Sequence, residues 1–250
     1  MSIPHAGGTV DTAEIGNFEA MAAEWWDPNG RLRPLHDLNP VRLEYLKREI
    51  CAHFGRDMRD ARALDGLDVL DIGCGGGLLT EPLARLGGRL VGADAGAANI
   101  AAAKAHAEAQ GLAIDYRATT AEALAAEGAR FDVVVAMEII EHVADLPLFL
   151  REIAGMVRPG GLLFLATMNR TAKSFALAIV GAEYILRWLP IGTHTWSKFV
   201  TPKELERAVE ATGLAVLDAC GMVFNPLFGR WSLKSGDLDV NYLMVAERAK

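Results

Sequence analysis

The stretch VLDIGCGGG, residues 69–77, decides the fold. Its beginning is typical of a short buried strand, and a helical pattern follows from Leu78 to about residue 86. In open α/β sheets a ligand lies at the carboxyl ends of the strands, where glycine lets it approach the backbone closely. Leu78 breaks the dinucleotide pattern GxGxxG, which disfavours a nicotinamide oxidoreductase. The pattern that fits is DxGxGxG, formed by Asp71, Gly73, Gly75 and Gly77.

This pattern resembles the S-adenosylmethionine loop of the class I methyltransferases, with Gly73 and Gly75 at the cofactor. Glycine spacing alone also fits a tight strand–helix turn that binds nothing. The next predicted strand, RLVGAD (89–94), ends in Asp94, 19 residues after Gly75. A carboxylate at that position can accept hydrogen bonds from both ribose hydroxyls of a nucleoside. The two features together favour a cofactor site.

Two further strand ends extend the expected cofactor site. The third strand leads into TTAEAL (119–124), where Ala121 and Glu122 are expected to reach the adenine. Glu122 is equally explained as a solvated acid at the start of a helix. Met137, at the end of the fourth strand, is expected to lie under the sulfonium.

Strands alternate with helices from Leu67 onward, which predicts βαβ units and a Rossmann-like, mostly parallel sheet with helices on both faces. The last two strands are expected to form an antiparallel edge. The predicted strands are 68–73, 89–94, 112–118, 131–137, 162–168, 214–220 and 240–247, with a turn at 158–161. The predicted helices are 78–86, 97–110, 120–127, 145–157 and 202–212.

The first sixty residues differ from the rest. Residues 1–10 are expected to be disordered, and residues 11–60 to form a helical extension with helices at 14–26 and 40–54. Residues 61–250 are expected to form the main domain, with an insert at 170–195.

Bulk composition narrows the class of protein. The chain has 250 residues, of which 51% are hydrophobic and 23% charged, as expected for a globular protein with a sizeable core. Its net charge of −7 argues against broad nucleic-acid binding. Three widely spaced cysteines form no metal-binding pair and favour a reducing cytoplasm. The N-terminal residues do not have the pattern of a signal peptide, and no uncharged apolar run reaches the ~18 residues of a membrane span.

Nearly the whole chain resembles the ubiquinone-biosynthesis O-methyltransferases. The glycine loop is common to many methyltransferases, whereas the WWD and VGAEYILRWLPIGTH stretches are more specific to this family. The resemblance is found in NFEAMAAEWWDPNG (17–30), PLHDLNPVRLEY (34–45), VLDIGCGGGLLTEPLARLG (69–87), MEIIEHV (137–143), MNRTAKSFALAIVGAEYILRWLPIGTH (168–194) and VNYLMVAE (240–247).

The resemblance implies a seven-stranded sheet and cofactor contacts at Arg42, Gly73, Asp94 and Met137. A guanidinium such as that of Arg42 can bind the methionyl carboxylate through two hydrogen bonds, although a surface salt bridge would also explain this arginine. The implied substrates are polyprenyl-hydroxyphenols and demethylubiquinol, and the implied partners include a biosynthetic complex. A methyltransferase of another small-molecule pathway and a non-catalytic cofactor-binding module are the alternatives.

The sequence VVVAMEIIEHV (133–143) places Glu138, Glu141 and His142 directly after a buried strand. If the chain turns helical after Met137, the three side chains share one face beside the expected sulfonium. Two carboxylates and an imidazole suit a divalent ion such as Mg²⁺, which would lower the pKa of a bound phenol.

Two other interpretations of these residues stay open. His142 acting alone is a candidate general base without any metal, since its ordinary pKa of about 6.5 suits that task, and Glu141 is the second candidate catalytic residue. A ligating nitrogen is not a free base, so His142 cannot easily serve in both ways. The carboxylates of Glu138 and Glu141 are also explained as acids at the start of a helix.

The insert at 170–195 contains the apolar sequence AKSFALAIVGAEYILRWLPIG (172–192). Phe175, Ile179, Ala182, Leu186 and Leu189 share one helical face, and Trp188 suits a membrane interface. The pattern predicts an amphipathic helix that lies on the inner face of the membrane, or a lid over the polyprenyl tail. A helix packed in the core of the domain is the alternative.

Overall fold

The computed structural model describes residues 8–176 and 196–250. An eight-stranded sheet in the order β3-β2-β1-β4-β5-β8-β6-β7 forms its centre. The strands are β1 Asp68–Ile72, β2 Arg89–Asp94, β3 Asp115–Ala118, β4 Phe131–Met137, β5 Val157–Met168, β6 Leu214–Asn225, β7 Arg230–Ser235 and β8 Asn241–Arg248. The helices are α1 Thr12–Glu19, α2 Arg33–Phe54, α3 Thr80–Arg85, α4 Ala97–Ala109, α5 Ala121–Ala126, α6 Leu146–Gly155, α7 Ala172–Ser174 and α8 Pro202–Glu210.

The predicted α/β class and mostly parallel sheet are confirmed. Strands β1 to β5 pair in parallel, and β8 inserts between β5 and β6, antiparallel to both. The chain reverses direction across the sheet between β1 and β4, where strands from the two halves lie side by side. Ligands bind at such a switch point, beyond the carboxyl ends of the strands.

The expected strand count of seven is wrong, because β7 adds an eighth strand at the edge. It pairs antiparallel with β6, which extends to Asn225 rather than ending at residue 220. Much of β7 is exposed, so its sequence RWSLKS has little of the apolar pattern that marks a buried strand. The predicted turn at 158–161 also lies within β5, where the register with β4 shifts.

The N-terminal helices have different bounds from those predicted. Helix α1 ends at Glu19, and a single 3₁₀ turn at Ala22–Glu24 follows it. Helix α2 begins at Arg33, so Pro40 lies inside the helix rather than at its start. Proline lacks the backbone N–H of a helix interior, which is why the sequence favoured a later start.

Strand β4 shows how the sheet is covered. Val134 and Ala136 face one hydrophobic cluster, and Val133 and Val135 face the other. The first cluster includes side chains of α5, α6 and α8, and the second includes side chains of α2 and α3. Burial on both faces explains the unbroken apolar run that precedes Glu138.

Residues 1–7 and most of the insert lie outside the described residues. The predicted amphipathic face from Ile179 to Leu189, with Trp188, therefore cannot be placed. Thr9, in the segment expected to be disordered, is buried, and its carbonyl accepts a hydrogen bond from the Ala144 N–H at 2.9 Å. In the part of the chain that the structure describes, every helix is too short or too polar to cross a bilayer.

Candidate active site

The glycine loop joins β1 to α3 and closes over the carboxyl end of the sheet. Gly73 and Gly75 have φ angles of 75° and 53°, in the region that glycine adopts readily. A Cβ atom on Gly73 would lie 2.4 Å from the Ile139 side chain. On Gly75 it would lie 2.3 Å from the indole of Trp25. Both positions therefore require glycine, for backbone conformation and for space.

Asp94 lies at the end of β2 with its carboxylate fixed by three donors. Oδ2 accepts a hydrogen bond from the Gly75 N–H at 3.0 Å. Oδ1 accepts from the Gly96 N–H at 2.7 Å and from Asn99 Nδ2 at 3.2 Å. Burial raises the pKa of Asp94 and outweighs these hydrogen bonds, which favour the charged form. The geometry ties the carboxylate to the glycine loop, as a ribose site requires.

Asp71, the first residue of the DxGxGxG pattern, is also buried at this edge. Its Oδ2 accepts a hydrogen bond from Thr80 Oγ1 at 2.6 Å. Burial raises the pKa of Asp71 to about 6, against the opposing effect of the Thr80 hydroxyl. The hydrogen bond links the end of β1 to the first residue of α3, so it holds the two sides of the loop together.

Arg42 reaches the site from α2 and forms an ion pair with Glu138. The distance from Arg42 Nη2 to Glu138 Oε1 is 3.1 Å, and both side chains are largely buried. Among the described residues, the buried Nε of Arg42 has no hydrogen-bond partner. A guanidinium with an unsatisfied donor beside the cavity fits the carboxylate of a methionyl group. Glu138 is the only non-glycine residue with positive φ in the described chain, which marks a strained turn after β4.

His142 is held by a carboxylate from the N-terminal extension. Its Nδ1 lies 3.1 Å from Glu14 Oε2, and Lys198 Nζ lies 2.9 Å from Glu14 Oε1. Burial lowers the pKa of His142, but the hydrogen bond with Glu14 and the charges of Glu141, Glu14 and Glu138 raise it further, so the net pKa is above its ordinary value. The same contact with His142 lowers the pKa of Glu14 from 4.5 to about 2.

Glu141 lies inside the protein and pairs with β5. The side chain is buried, and its Oε2 accepts a hydrogen bond from Thr167 Oγ1 at 2.7 Å. Residues Ile140–His142 form a 3₁₀ turn, so His142 and Glu141 leave this turn in different directions. His142 faces Glu14, and Glu141 faces Thr167.

Glu138, Glu141 and His142 as placed do not fit a shared metal ion. Each is paired with a different group, Arg42, Thr167 and Glu14 respectively. Across residues 8–176 and 196–250, no group of three or more His, Cys, Asp or Glu side chains is arranged to hold a metal. The expected helical turn after Met137, which would have placed all three on one face, is replaced by the strained turn at Glu138 and the 3₁₀ turn.

One cavity of about 670 Å³ connects these groups. Its lining includes most of the predicted cofactor residues: Arg42, Gly73, Gly75, Asp94, Ala121 and Met137. His142, Glu141 and Glu138 border the same cavity. The residues predicted to bind the cofactor and the three residues after β4 thus face one space.

Glu122 is the exception among the predicted cofactor residues. It is absent from the cavity lining, and its carboxylate accepts hydrogen bonds from the Thr9 N–H at 2.5 Å and from Thr9 Oγ1 at 2.9 Å. In the structure this acid fixes the N-terminal segment to the first turn of α5, and the expected adenine contact at Glu122 stays a prediction.

Sequence reasoning missed the side chains that the N-terminal extension brings to the site. Glu14, Phe18 and Trp25 line the cavity, and Phe18 packs edge-on against His142 with ring centres 5.2 Å apart. Lys198 and Thr167 were missed for the same reason, since each is a single polar residue far along the chain from its partner. The one local signal is the helical pattern of residues 14–26, in which Phe18 and Trp25 share an apolar face, and this pattern gives no direction for Glu14.

The comparisons with known proteins agree with this fold and site. The model of the methyltransferase domain family matches residues 70–165. Magnesium protoporphyrin IX methyltransferase from Synechocystis, solved with bound SAH, shares the fold at a TM-score of 0.65 and 17% identity, over 94% of this chain and 95% of that one. A methyltransferase from Clostridium acetobutylicum has a TM-score of 0.60 at 13% identity, over 94% and 99%. Fold and site together define a class I methyltransferase that uses S-adenosylmethionine.

Close relatives then give the particular family. A ubiquinone biosynthesis O-methyltransferase of Chelativorans sp. (strain BNC1) is 57% identical over 240 residues, which cover 96% of this chain and 94% of the relative. One from Brucella anthropi is 58% identical over 240 residues, 96% of each chain. The chain belongs to the family of ubiquinone biosynthesis O-methyltransferases.

Proposed function

We propose that this enzyme transfers the methyl group of S-adenosylmethionine to a phenolic oxygen of polyprenylated intermediates of ubiquinone biosynthesis. The substrates are a 2-polyprenyl-6-hydroxyphenol and 3-demethylubiquinol. The observation that carries the proposal is one cavity in which a cofactor cradle at Gly73, Gly75 and Asp94 faces a partly buried histidine–carboxylate pair, His142 and Glu14.

The apolar lining of the cavity favours a substrate with a hydrophobic chain. Beyond the polar groups, the lining includes hydrophobic residues from helix α6 and from strands β5, β6 and β7: Phe149, Met168, Met222, Val223, Phe224 and Trp231. Burying such surface against a polyprenyl chain is favourable by about 25 cal/mol per Å². A small polar substrate would leave this area without a partner.

The reaction requires a phenolate next to an electrophilic carbon. The donor supplies a methyl group on a positively charged sulfur. His142 takes the phenol proton on Nε2, because Nδ1 is engaged by Glu14. The phenolic oxygen forms the new C–O bond as the C–S bond breaks, and the sulfur keeps that electron pair. Placing the two reactants in line is itself a large part of the acceleration.

Two carboxylates assist His142 in this scheme. Glu14 holds the ring by its Nδ1 side, and the negative charges of Glu14 and Glu141 stabilise the imidazolium that forms. Because these charges raise the pKa of His142, its neutral form is a stronger base than a solvated imidazole. Arg42 is placed to bind the carboxylate of the donor, exchanging its present partner Glu138.

The test is methyl transfer by the purified protein to a short-chain hydroxyphenol and to short-chain demethylubiquinol, with labelled S-adenosylmethionine. We expect label in the O-methyl product, and in a strain lacking the gene we expect the demethylated or hydroxylated precursors to accumulate. Asp94→Ala is the matched control, because it removes the ribose site but leaves His142 in place. Donor binding without transfer to either phenol would overturn the substrate assignment.

A metal-assisted reaction at Glu138, Glu141 and His142 stays a prediction. It requires all three side chains to leave their present partners, Arg42, Thr167 and Glu14. Activity that is lost on chelation and restored by Mg²⁺ would support it, and full activity after rigorous metal removal would rule it out.

Peripheral contact with a membrane is the second part of the proposal. The turn between β6 and β7 presents Leu227 and Phe228, which are 88% and 67% exposed. The same hairpin lines the cavity with Phe224, Pro226 and Trp231, so an apolar tip adjoins the apolar interior. A tip of this kind suits the acyl boundary of a bilayer, from which a polyprenyl tail can enter.

Liposome sedimentation tests the membrane contact. We expect Leu227→Ser with Phe228→Ser to weaken vesicle binding and to raise KM for a long-chain substrate presented in vesicles, with little change for a short-chain substrate in solution. The single substitution Met58→Ser is the control, because Met58 is an exposed apolar residue outside the hairpin. Equal vesicle binding by all variants would contradict this role of the hairpin. Co-purification with other enzymes of the pathway would test membership of a complex.

A further inference from the structure

We infer that Trp25 is a positioning residue for donor binding, acting through Asn99 on the Asp94 carboxylate. The inference rests on the proposed role of Asp94 at the donor ribose. It assigns a function to the WWD stretch of the N-terminal extension, which lies outside the sheet and its glycine loop.

The indole of Trp25 packs closely against the glycine loop. A Cβ atom on Gly75 would lie 2.3 Å from Trp25 Cη2, and one on Gly76 would lie 2.3 Å from Trp25 Cγ. Trp25 is 7% exposed, and it also lines the cavity. The ring therefore forms one wall of the cofactor cradle and limits where the loop backbone can move.

The indole N–H sets the orientation of a buried amide. Trp25 Nε1 donates to Asn99 Oδ1 at 2.9 Å, and Asn99 Nδ2 donates to Asp94 Oδ1 at 3.2 Å. An indole nitrogen can only donate, so Asn99 must turn its oxygen toward Trp25 and its NH₂ toward Asp94. The opposite amide orientation would place an oxygen against the carboxylate. Trp25 thus fixes the direction of a donor that Asp94 needs.

A second contact ties the same turn to the extension. Glu19, the last residue of α1, accepts a hydrogen bond from the Ala98 N–H at 3.1 Å. Residues 96–99 form the start of α4 and include the Gly96 N–H that also binds Asp94. The extension therefore orders the segment that holds the ribose carboxylate, at two points.

Trp26 offers a matched comparison within the same stretch. Its Nε1 donates to the Gly76 carbonyl at 3.0 Å, and its ring stacks on His106 with centres 3.5 Å apart. Its indole N–H also donates one hydrogen bond, but to the glycine loop itself and not to Asn99, the side chain that donates to Asp94. Loss of the Trp26 N–H therefore reports on loop anchoring alone.

Calorimetry with two probes tests the inference: S-adenosylhomocysteine and its analogue without the ribose 2′-hydroxyl. We expect Trp25→Phe, which keeps a ring over the glycines, to weaken S-adenosylhomocysteine binding about 10-fold, as for loss of a buried hydrogen bond. For each variant, the ratio of the two Kd values measures how much affinity is lost with the 2′-hydroxyl; this ratio is the penalty for the missing hydroxyl. We expect the penalty to be smaller in Trp25→Phe than in the wild type, and unchanged in Trp26→Phe. A general loss of loop structure would weaken the binding of both probes by the same factor and leave the penalty unchanged.

Asn99→Leu provides a second variant in case Trp25→Phe is poorly folded. It breaks the middle of the same chain of contacts, so we expect the same reduced penalty and no further loss in the double variant. Thermal unfolding of each variant checks its folding. An unchanged penalty in both Trp25→Phe and Asn99→Leu would overturn the inference while leaving the proposed function intact. If the wild-type protein binds no S-adenosylhomocysteine at all, the proposed function is contradicted, and the inference that rests on it is contradicted as well.

Discussion

The donor half and the reacting half of the cavity are built in different ways. The centre of the donor half is local: a glycine loop and Asp94, joined by a hydrogen bond of 3.0 Å across 19 residues, to which Trp25 and Arg42 are added from the N-terminal extension. The reacting half uses only distant pieces: His142 meets Glu14 across 128 residues, and Lys198 meets Glu14 across 184. A local motif therefore specifies the centre of one half, and tertiary packing specifies the other.

Because the two halves are built differently, substitutions in one half should affect a different step from substitutions in the other. Damage to the donor half should weaken donor binding and leave the proton-transfer groups in place. Damage to the reacting half should leave donor binding intact and slow the chemical step. Substitutions on the two sides therefore test whether the halves are as independent as the contacts indicate.

The largest effect is expected for His142→Gln. Glutamine can still hydrogen-bond to Glu14 but cannot accept the phenol proton, so we expect kcat to fall by about 10²–10⁴-fold. Calorimetry with S-adenosylhomocysteine should give a nearly unchanged Kd. A comparable loss of donor affinity would show that the halves are not separate.

Asp94→Asn is the matching change in the donor half. It places an NH₂ group against the N–H of Gly75 or Gly96, because both carboxylate oxygens accept backbone hydrogen bonds. We expect donor affinity to fall about 100-fold, as when a charged, buried hydrogen-bonding group is lost. At saturating donor, kcat should fall far less than in His142→Gln. Kinetics with varied donor concentration provide the measurement.

The same contrast explains what the sequence could predict. Gly73, Gly75 and Asp94 follow strand ends, and strand ends were visible as apolar runs, so their place in the cavity followed from the sheet alone. The α/β class and the mostly parallel pairing of the strands could be predicted from the sequence for the same reason. Strand β7 was not, because half-exposed strands carry weak patterns.

The partners of the reacting groups could not be predicted from spacing. Glu138, Glu141 and His142 were placed on one face by assuming a helical turn, but positive φ at Glu138 sends the chain into a 3₁₀ turn instead. Nothing local in the sequence marks that turn, because glutamate rarely adopts positive φ. The turn is accompanied by the ion pair with Arg42 and the hydrogen bond to Ala166 at 3.1 Å, both from other elements.

Glu14→Gln tests the distant contact directly. Glutamine can still accept a hydrogen bond from His142, but the carboxylate charge that strengthens this bond and raises the pKa of His142 is lost, so the pKa of His142 falls. Because the neutral ring is the base, the acidic limb of the kcat–pH profile should move to lower pH. We expect kcat at its plateau to drop about 10-fold, since the ring loses base strength and its orienting partner loses its charge. A profile that keeps the wild-type limb would show that Glu14 does not act on His142.

The stability of the protein in acid follows from the same carboxylate. The pKa of Glu14 is lowered from 4.5 to about 2, so its stabilising contribution is complete above pH 4.5 and is lost as the pH falls toward 2. Denaturant unfolding of the wild type and of Glu14→Gln should therefore differ most above pH 4.5 and converge near pH 2. A constant difference over this range would contradict the pairing with His142 and Lys198.

The smallest effect is expected for Lys198→Met, which removes the cation on the far side of Glu14. Without that ammonium the negative charge of Glu14 acts on His142 alone, so the pKa of His142 should rise and the acidic limb should move to higher pH. This shift is opposite in direction to that of Glu14→Gln and smaller, because a half-exposed lysine acts across a partly solvated gap. Donor binding should not change. Opposite shifts in these two variants would show that the acidic limb belongs to a group that lies close to both Glu14 and Lys198, as His142 does; equal shifts in both would assign the limb to another group.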